Sequence, residues 1–331
     1  MRVESPAGDW TLCSGLADTA NATPMTPDTR LRIGSCTKTF TATASMMLVQ
    51  VGALDVTEPI KTYIPEITVP HDSLITVANL LNMTSGLGDY LNDDDWVLSM
   101  LAADIDNQFT VQELLDHAFE LTDVDEMDIG GDWSYCNTNY LLLTLIIQSC
   151  SGMSYTDYIE LHITGPLGMS STTISTEPFD LSHGYVDLDD DGIVDDVTSW
   201  NPTYTWGAGC IVSTVSDMAI FAGALYTDDL LSPSSFEQMN QWVEVVPEFS
   251  YGFGIGQYTE LEIRGHNGAV PGYAAEMWFH QPSQTVITVL SNSNRIDGDH
   301  TFAVVEQALQ ILNGNETTRH PTGNSLAREM Q

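Results

Sequence analysis

Ser35 and Lys38 stand three residues apart in the segment Gly34-Ser35-Cys36-Thr37-Lys38. The chain holds only one other lysine, Lys61, so an ammonium kept beside this hydroxyl has chemical content. On a helix, residues three apart share a face, which brings the amine within reach of the hydroxyl. A serine hydroxyl is a weak nucleophile until an adjacent base takes its proton, and serine acyl transfer is the chemistry such a pair serves.

Two further segments could complete a site of that kind. Tyr135-Cys136-Asn137 offers a phenol and an amide, and His266-Asn267-Gly268 offers an imidazole followed by a glycine on a strand-like stretch. Singly, each has an ordinary reading: Lys38 as a solvated helix residue, Tyr135 as a capping aromatic, His266 as a satisfied strand histidine. In this chain order the three together are far more specific than any one alone. No Gly-x-Ser-x-Gly occurs, which argues against the strand–turn–helix elbow of α/β-hydrolases.

The elements that must position these residues follow from periodicity. Residues 2–13 alternate as a strand pair with Ala7-Gly8-Asp9 as its turn. The spacing predicts a helix from about Ser35 to Val51, with Ser35 at its start. From Leu54 to about Thr176 the pattern is mostly helical, with helix starts at Thr76 and Thr110 and a longer helix from Asn139 to Cys150. Thr214-Val215-Ser216-Asp217 reads as a capped helix start. Strand-like stretches follow at 250–259, 261–269 and 273–292, the last a hairpin around Gln281-Pro282-Ser283, and a helix at 300–312 closes the pattern. The expected fold class is therefore α/β (α+β): a central antiparallel sheet flanked by helices, with an inserted all-helical domain. The expected boundaries are 1–53 and 205–313 for the sheet domain, 54–204 for the mostly helical insertion, and 314–331 for a loose tail.

The three motifs resemble the Ser-x-x-Lys set of penicillin-binding proteins and serine β-lactamases, in the branch that carries Tyr-x-Asn second and His-x-Gly third. That branch contains D-alanyl-D-alanine carboxypeptidases, D-aminopeptidases, family VIII esterases and class C β-lactamases. Val51-Gly52-Ala53-Leu54-Asp55, Leu80-Leu81-Asn82-Met83-Thr84-Ser85-Gly86-Leu87, Pro166-Leu167-Gly168-Met169 and Trp206-Gly207-Ala208-Gly209 resemble further landmarks, with Asn82 departing from the histidine of many relatives. The resemblance implies Ser35 as nucleophile and the N–H groups of Ser35 and Ala269 as oxyanion donors. It also implies Gly268 as the place where substrate lies flat on the strand, and Trp206 as a pocket wall, although a core role for Trp206 is nearly as well supported. Tyr135 is expected to act as base, its pKa lowered by Lys38 and by His266 nearby, and Asn137 to hold Lys38 or the substrate amide. His266 is expected to position Tyr135 and a substrate carboxylate. Arg264 shares a strand face with His266 and either assists there or faces solvent.

The implied function is an acyl-enzyme serine hydrolase, with D-alanyl-D-alanine-type peptides leading. The alternatives are a carboxylesterase or a class C-like β-lactamase on the same scaffold and, from another class, a non-catalytic penicillin- or peptidoglycan-binding module. Partners are then small peptides, amides or esters, with peptidoglycan stem peptides and β-lactams among them.

Composition bounds the rest. Against 46 acidic residues stand 9 basic ones, a net charge of −37. Such a surface repels nucleic acid and anionic membranes, and no apolar run has the length of a bilayer span. Lysine depletion with dense aspartate fits a saline environment, where a screening length of roughly 3 Å at molar salt relieves self-repulsion. The melting temperature is accordingly expected to fall between molar and millimolar NaCl; an unchanged or rising value refutes the saline reading. The strand-like opening at Met1–Ser5 fits an exported protein, periplasmic or extracellular, whose leader is not in this sequence. Cys13, Cys36, Cys136, Cys150 and Cys210 lack zinc or CxxC spacing; Cys36 and Cys136 approach each other if their motifs do, more readily as two thiols than as a disulfide. No cofactor is expected. Asp187, Asp189, Asp191 and Asp195 open like a calcium loop, but Thr198 stands where a bidentate Glu belongs, so a solvated loop is the favoured reading.

Overall fold

The sheet is built from both ends of the chain. The computed structural model describes residues 1–101, 108–174, 181–187, 192–227, 229–293 and 300–314. Its main sheet runs in the order Val243–Val246, Phe249–Tyr251, Gly256–Tyr258, Ile263–Val270, Tyr273–His280, Thr285–Ser291, Arg2–Ser5 and Gly8–Thr11. All neighbours in it are antiparallel. Arg2–Ser5 turns tightly into Gly8–Thr11, with Ser5 opposite Gly8, and its other edge pairs with Thr285–Ser291 through Val3 and Ile287. The 250–259 stretch, read as one strand, is two short ones: Gly252 and Gly254, the latter at φ +67°, turn the chain between them.

Alternation along the central strands gives each face its own helix. Trp278, Ile287 and Val289 point to one side and pack with Val3, Val305 and Leu309 under the C-terminal helix His300–Leu312. Ala275, Met277 and Phe279 point to the other, into the large core, where Thr288 donates to the Val215 carbonyl of helix Val215–Tyr226. That helix presents Phe221 to Phe40 of helix Thr37–Gln50, the rings stacked with centroids 3.6 Å apart. Both rings are fully buried, and each such burial contributes about 2–3 kcal/mol.

Helix Thr37–Gln50 is enclosed on nearly every side despite its hydroxyl content. Its polar groups are satisfied locally or across the core: Thr43 bonds the Thr39 carbonyl, Ser45 the Thr41 carbonyl, Thr39 the Gly254 carbonyl and Thr41 the Gly207 carbonyl. A buried helix can therefore carry threonines where an amphipathic one would carry leucines.

The segment from Leu54 to Tyr204 carries helices Val77–Leu81, Asp94–Leu101, Val111–Glu120, Asn137–Ser151 and Tyr155–Ile159. Reciprocal capping boxes, Thr76 with Asn79 and Thr110 with Glu113, start two of them. Helix Asn137–Ser151 begins two residues before the expected Asn139, and it ends at Gly152 in the left-handed conformation. Several two- or three-residue strands went unread in the sequence. Leu31–Arg32 and Thr173–Ile174 flank Ile211–Ser213 in a small sheet, which sets the chain on its path into Ser35. No helix among the described residues is long and apolar enough to cross a membrane.

Candidate active site

Ser35 lies on a single 3-10 turn, Gly34–Cys36, that runs directly into helix Thr37–Gln50. The strand Ile263–Val270 presses its backbone against this turn. A Cβ on Gly268 would lie 2.0 Å from the Ile33 carbonyl oxygen and 2.8 Å from the Ser35 nitrogen. A Cβ on Gly34, itself at φ +50°, would lie 2.8 Å from the Ala269 nitrogen. Only glycine at both positions allows the two backbones to meet this closely, beside Ser35 and Ala269.

Lys38, one turn along the helix, is fully buried. Its ammonium Nζ donates to Ser35 Oγ at 3.0 Å, to Asn137 Oδ1 at 2.7 Å and to the Ala208 carbonyl at 2.9 Å. Three N–H groups meet three acceptors. Burial lowers its pKa from the usual lysine range to about 7, against the opposing influence of Asp89 and of Cys136 and Cys36. Nζ also stands over the Tyr135 ring, 4.8 Å from its centroid, and 5.6 Å from that of Tyr140.

Tyr135 behaves in the opposite way from the phenolate expected of it. Burial pushes its pKa well above the normal phenol value, with Ser35 the main influence the other way. The ammonium lies over the ring, and among the described residues the buried hydroxyl has no hydrogen bond of ordinary geometry. Burial thus favours the uncharged form of both Lys38 and Tyr135.

His266 also departs from its expected part. It is fully buried, and both ring nitrogens are engaged: Nδ1 with the Asn267 carbonyl, Nε2 with Tyr251 Oη at 2.9 Å. A carbonyl only accepts, so Nδ1 carries the proton, and Nε2 accepts from the Tyr251 hydroxyl. Burial and then Lys38 press its pKa down to about 3, so it is neutral. Its ring centroid is 6.4 Å from that of Tyr135. It offers neither a positive charge nor a free N–H to a substrate carboxylate.

Asn137, the first residue of its helix, spends its carbonyl oxygen on Lys38 and its Nδ2 on Asp89. Trp206 opens the short helix Trp206–Gly209 from the left-handed region, φ +36°, a conformation costing of order 1–3 kcal/mol in a non-glycine residue. Its indole N–H is tied to the Phe109 carbonyl at 3.0 Å, and the residues after it deliver the Gly207 and Ala208 carbonyls to Thr41 and Lys38. Arg264 is half-buried, bonded to Asn240 and lying over the Trp242 ring. Cys36 and Cys136 are free thiols, bonded to the His266 and Leu87 carbonyls respectively. Asp189 and Asp191 lie outside the described residues. Asp187 accepts from the Gly192 amide, and Asp195 belongs to a short exposed strand.

Sequence reading passed over Asp89, Tyr251 and the Ala208 carbonyl. Asp89 follows the Ser85-Gly86-Leu87 landmark by two residues, which was the available signal. Tyr251 and Ala208 touch the site only through tertiary structure.

The chain matches the family model described as Beta-lactamase over residues 7–310. It is 31% identical to penicillin-binding protein 4* of Bacillus subtilis (strain 168), over 91% of this chain and 68% of that protein. It is 27% identical to a D-aminopeptidase of Brucella anthropi, over 80% of this chain and 50% of that one, so it spans only half of that relative's length. Among solved structures, D-amino acid amidase from Ochrobactrum anthropi SV3 superposes with a TM-score of 0.81 at 28% identity, covering 95% of this chain and 92% of that one.

Proposed function

The chain belongs to the Beta-lactamase family and is a serine hydrolase, and on that premise we propose that it cleaves amide bonds of D-amino acid derivatives through an acyl-enzyme on Ser35. The observation that carries the reading is the buried Lys38 amine, 3.0 Å from Ser35 Oγ and with its pKa near neutrality. As a neutral amine it keeps its two N–H bonds to Asn137 and Ala208 and turns its lone pair to the Ser35 hydroxyl. Ser35 Oγ then bonds to the substrate carbonyl carbon as its proton passes to Lys38. The Ser35 and Ala269 amides receive the developing oxyanion, and one such donor is commonly worth about 3 kcal/mol. When the C–N bond breaks, the leaving nitrogen takes the proton of the Tyr135 hydroxyl, which Lys38 replaces. Water attacks the ester by the same path, giving its proton to Lys38, while Ser35 Oγ leaves protonated.

Two considerations support this substrate class. The D-amino acid amidase likeness covers nearly the whole of both chains. The neutral, doubly bonded His266 removes the cation that a terminal carboxylate was expected to meet, so a leaving group that is ammonia or an uncharged amine suits the site better than D-alanine. The test is kcat/KM for D- and L-phenylalanine amide, an N-acyl-D-alanyl-D-alanine peptide and a short-chain p-nitrophenyl ester. The D-amide is expected to exceed both its L-enantiomer and the peptide by at least about tenfold. Preference for the peptide, or ester turnover without amide turnover, overturns the proposal.

A further inference from the structure

Asp89 is 6% exposed in a chain whose other carboxylates mostly face water. Its Oδ2 accepts both the backbone N–H of Asn137 at 3.0 Å and the side-chain Nδ2 of Asn137 at 2.8 Å, while Oδ1 caps the turn Tyr90–Asn92 through the Leu91 amide at 3.0 Å. The other end of the Asn137 amide meets Lys38 Nζ at 2.7 Å. Turning that amide over would set its NH2 against the ammonium and its oxygen against the carboxylate, two unfavourable contacts in a dry place. Carboxylate and ammonium thus select the same rotamer from opposite sides.

We propose that Asp89 is a positioning residue of this site: it locks the Asn137 carbonyl onto Lys38 and supplies the negative charge that the ammonium feels. It acts through Asn137, without itself touching the reacting atoms. The other titratable groups around the ammonium are Cys36 beside Ser35, Tyr135 and Cys136 before the Asn137 helix, Tyr140 on that helix and His266 on the strand. Burial pushes the thiols and phenols up, Cys136 to about 12, and His266 down to about 3. In the neutral range all of them are therefore uncharged. Tyr90, next to Asp89, is likewise pushed up. Asp89 itself is raised above the usual carboxylate range, burial outweighing its bonds to Asn137 and Leu91 and the influence of Lys38.

Asp89→Asn removes the charge while keeping a side-chain oxygen for the Leu91 amide, since Asn caps as well as Asp. The readout is the pH profile of kcat/KM on whichever amide or ester the wild type turns over, alongside thermal unfolding. The base works as the neutral amine, and losing a nearby negative charge favours that form. The acid limb is therefore expected to move to lower pH by about one unit, with a roughly tenfold lower plateau as Asn137 loses its lock. Asp89→Glu, which keeps the charge, is expected to hold the wild-type limb. If Asp89→Asn does not fold, Asp89→Ser gives the same reading with a smaller cap. A limb that stays put in the charge-free variant while only activity and melting temperature fall overturns the proposal, as does one that moves equally in Asp89→Glu. The inference rests on Ser35 and Lys38 being the acylating pair. Full turnover in Ser35→Ala would remove that pair, whereas an unmoved limb in an enzyme silenced by Ser35→Ala removes Asp89 alone.

Discussion

Ser35→Ala is expected to lower kcat/KM by about 10⁴-fold or more on whichever amide or ester the wild type turns over, and to abolish any covalent labelling the wild type shows with a fluorescent penicillin. The size follows from what the substitution removes: the atom that must bond to the substrate carbon. The oxyanion amides of Ser35 and Ala269 belong to the backbone and survive the change, so a small residual rate over water is compatible with the mechanism. The fold has little reason to respond. Ser35 Oγ is bonded to Lys38, which keeps Asn137 and Ala208 as acceptors, and loss of one hydrogen bond costs about 1 kcal/mol. Intact-mass measurement after incubation with the penicillin, read beside steady-state rates and a melting curve, separates a dead enzyme from an unfolded one. A cooperative melt near that of the wild type with retained turnover or retained adduct would move the nucleophile elsewhere and end the acyl-enzyme reading at Ser35.

What was legible in the sequence was local or strongly patterned. The N-terminal strand pair, whose turn falls at Pro6-Ala7 and not at the expected Ala7-Gly8-Asp9, the helix starts at Thr76 and Thr110 and the helix after Ser35 each declare themselves within a few residues. The strand Ile211–Ser213 does not, because its partners Leu31 and Thr173 are distant in the chain and each contact is only two residues long. The site shows the same division. Residue types and order brought Ser35, Lys38, Asn137, Tyr135 and His266 into view, and the fold does set Lys38 against Ser35, Asn137 and the Tyr135 ring. The pKa directions differ from those expected because burial is not written in a motif. Lys38 is lowered where Tyr135 was expected to be, and His266 is neutral because Tyr251 and the Asn267 carbonyl occupy it. Asp89 escaped notice because it is one of 46 acidic residues, and only the tertiary structure separates a carboxylate bonded to Asn137 from those that solvate the surface.

Lys38→Met is expected to match the loss of Ser35→Ala in activity, about 10⁴-fold, and to leave a signature in stability that Ser35→Ala does not. Burial lowers the Lys38 pKa to about 7, while in the unfolded chain a lysine titrates at about 10.4. Below about 7 both states hold the proton, and the cost of burying an ammonium is present in full. Between about 7 and about 10 the unfolded chain binds the proton that the folded one has released, so wild-type stability rises with pH across that window. Methionine has no such term. The stability difference between wild type and Lys38→Met should therefore move in favour of the wild type as pH climbs from about 7 to about 10, by up to a few kcal/mol. Met leaves Ser35 Oγ, Asn137 Oδ1 and the Ala208 carbonyl without their donor, which offsets the whole curve without giving it a slope. Denaturant unfolding of both proteins at about pH 6, 8 and 10, in high salt so that the surface charge is screened equally, reads the slope directly. A flat difference would mean that Lys38 keeps its proton well above neutrality, and the role of base would then have to pass to Tyr135.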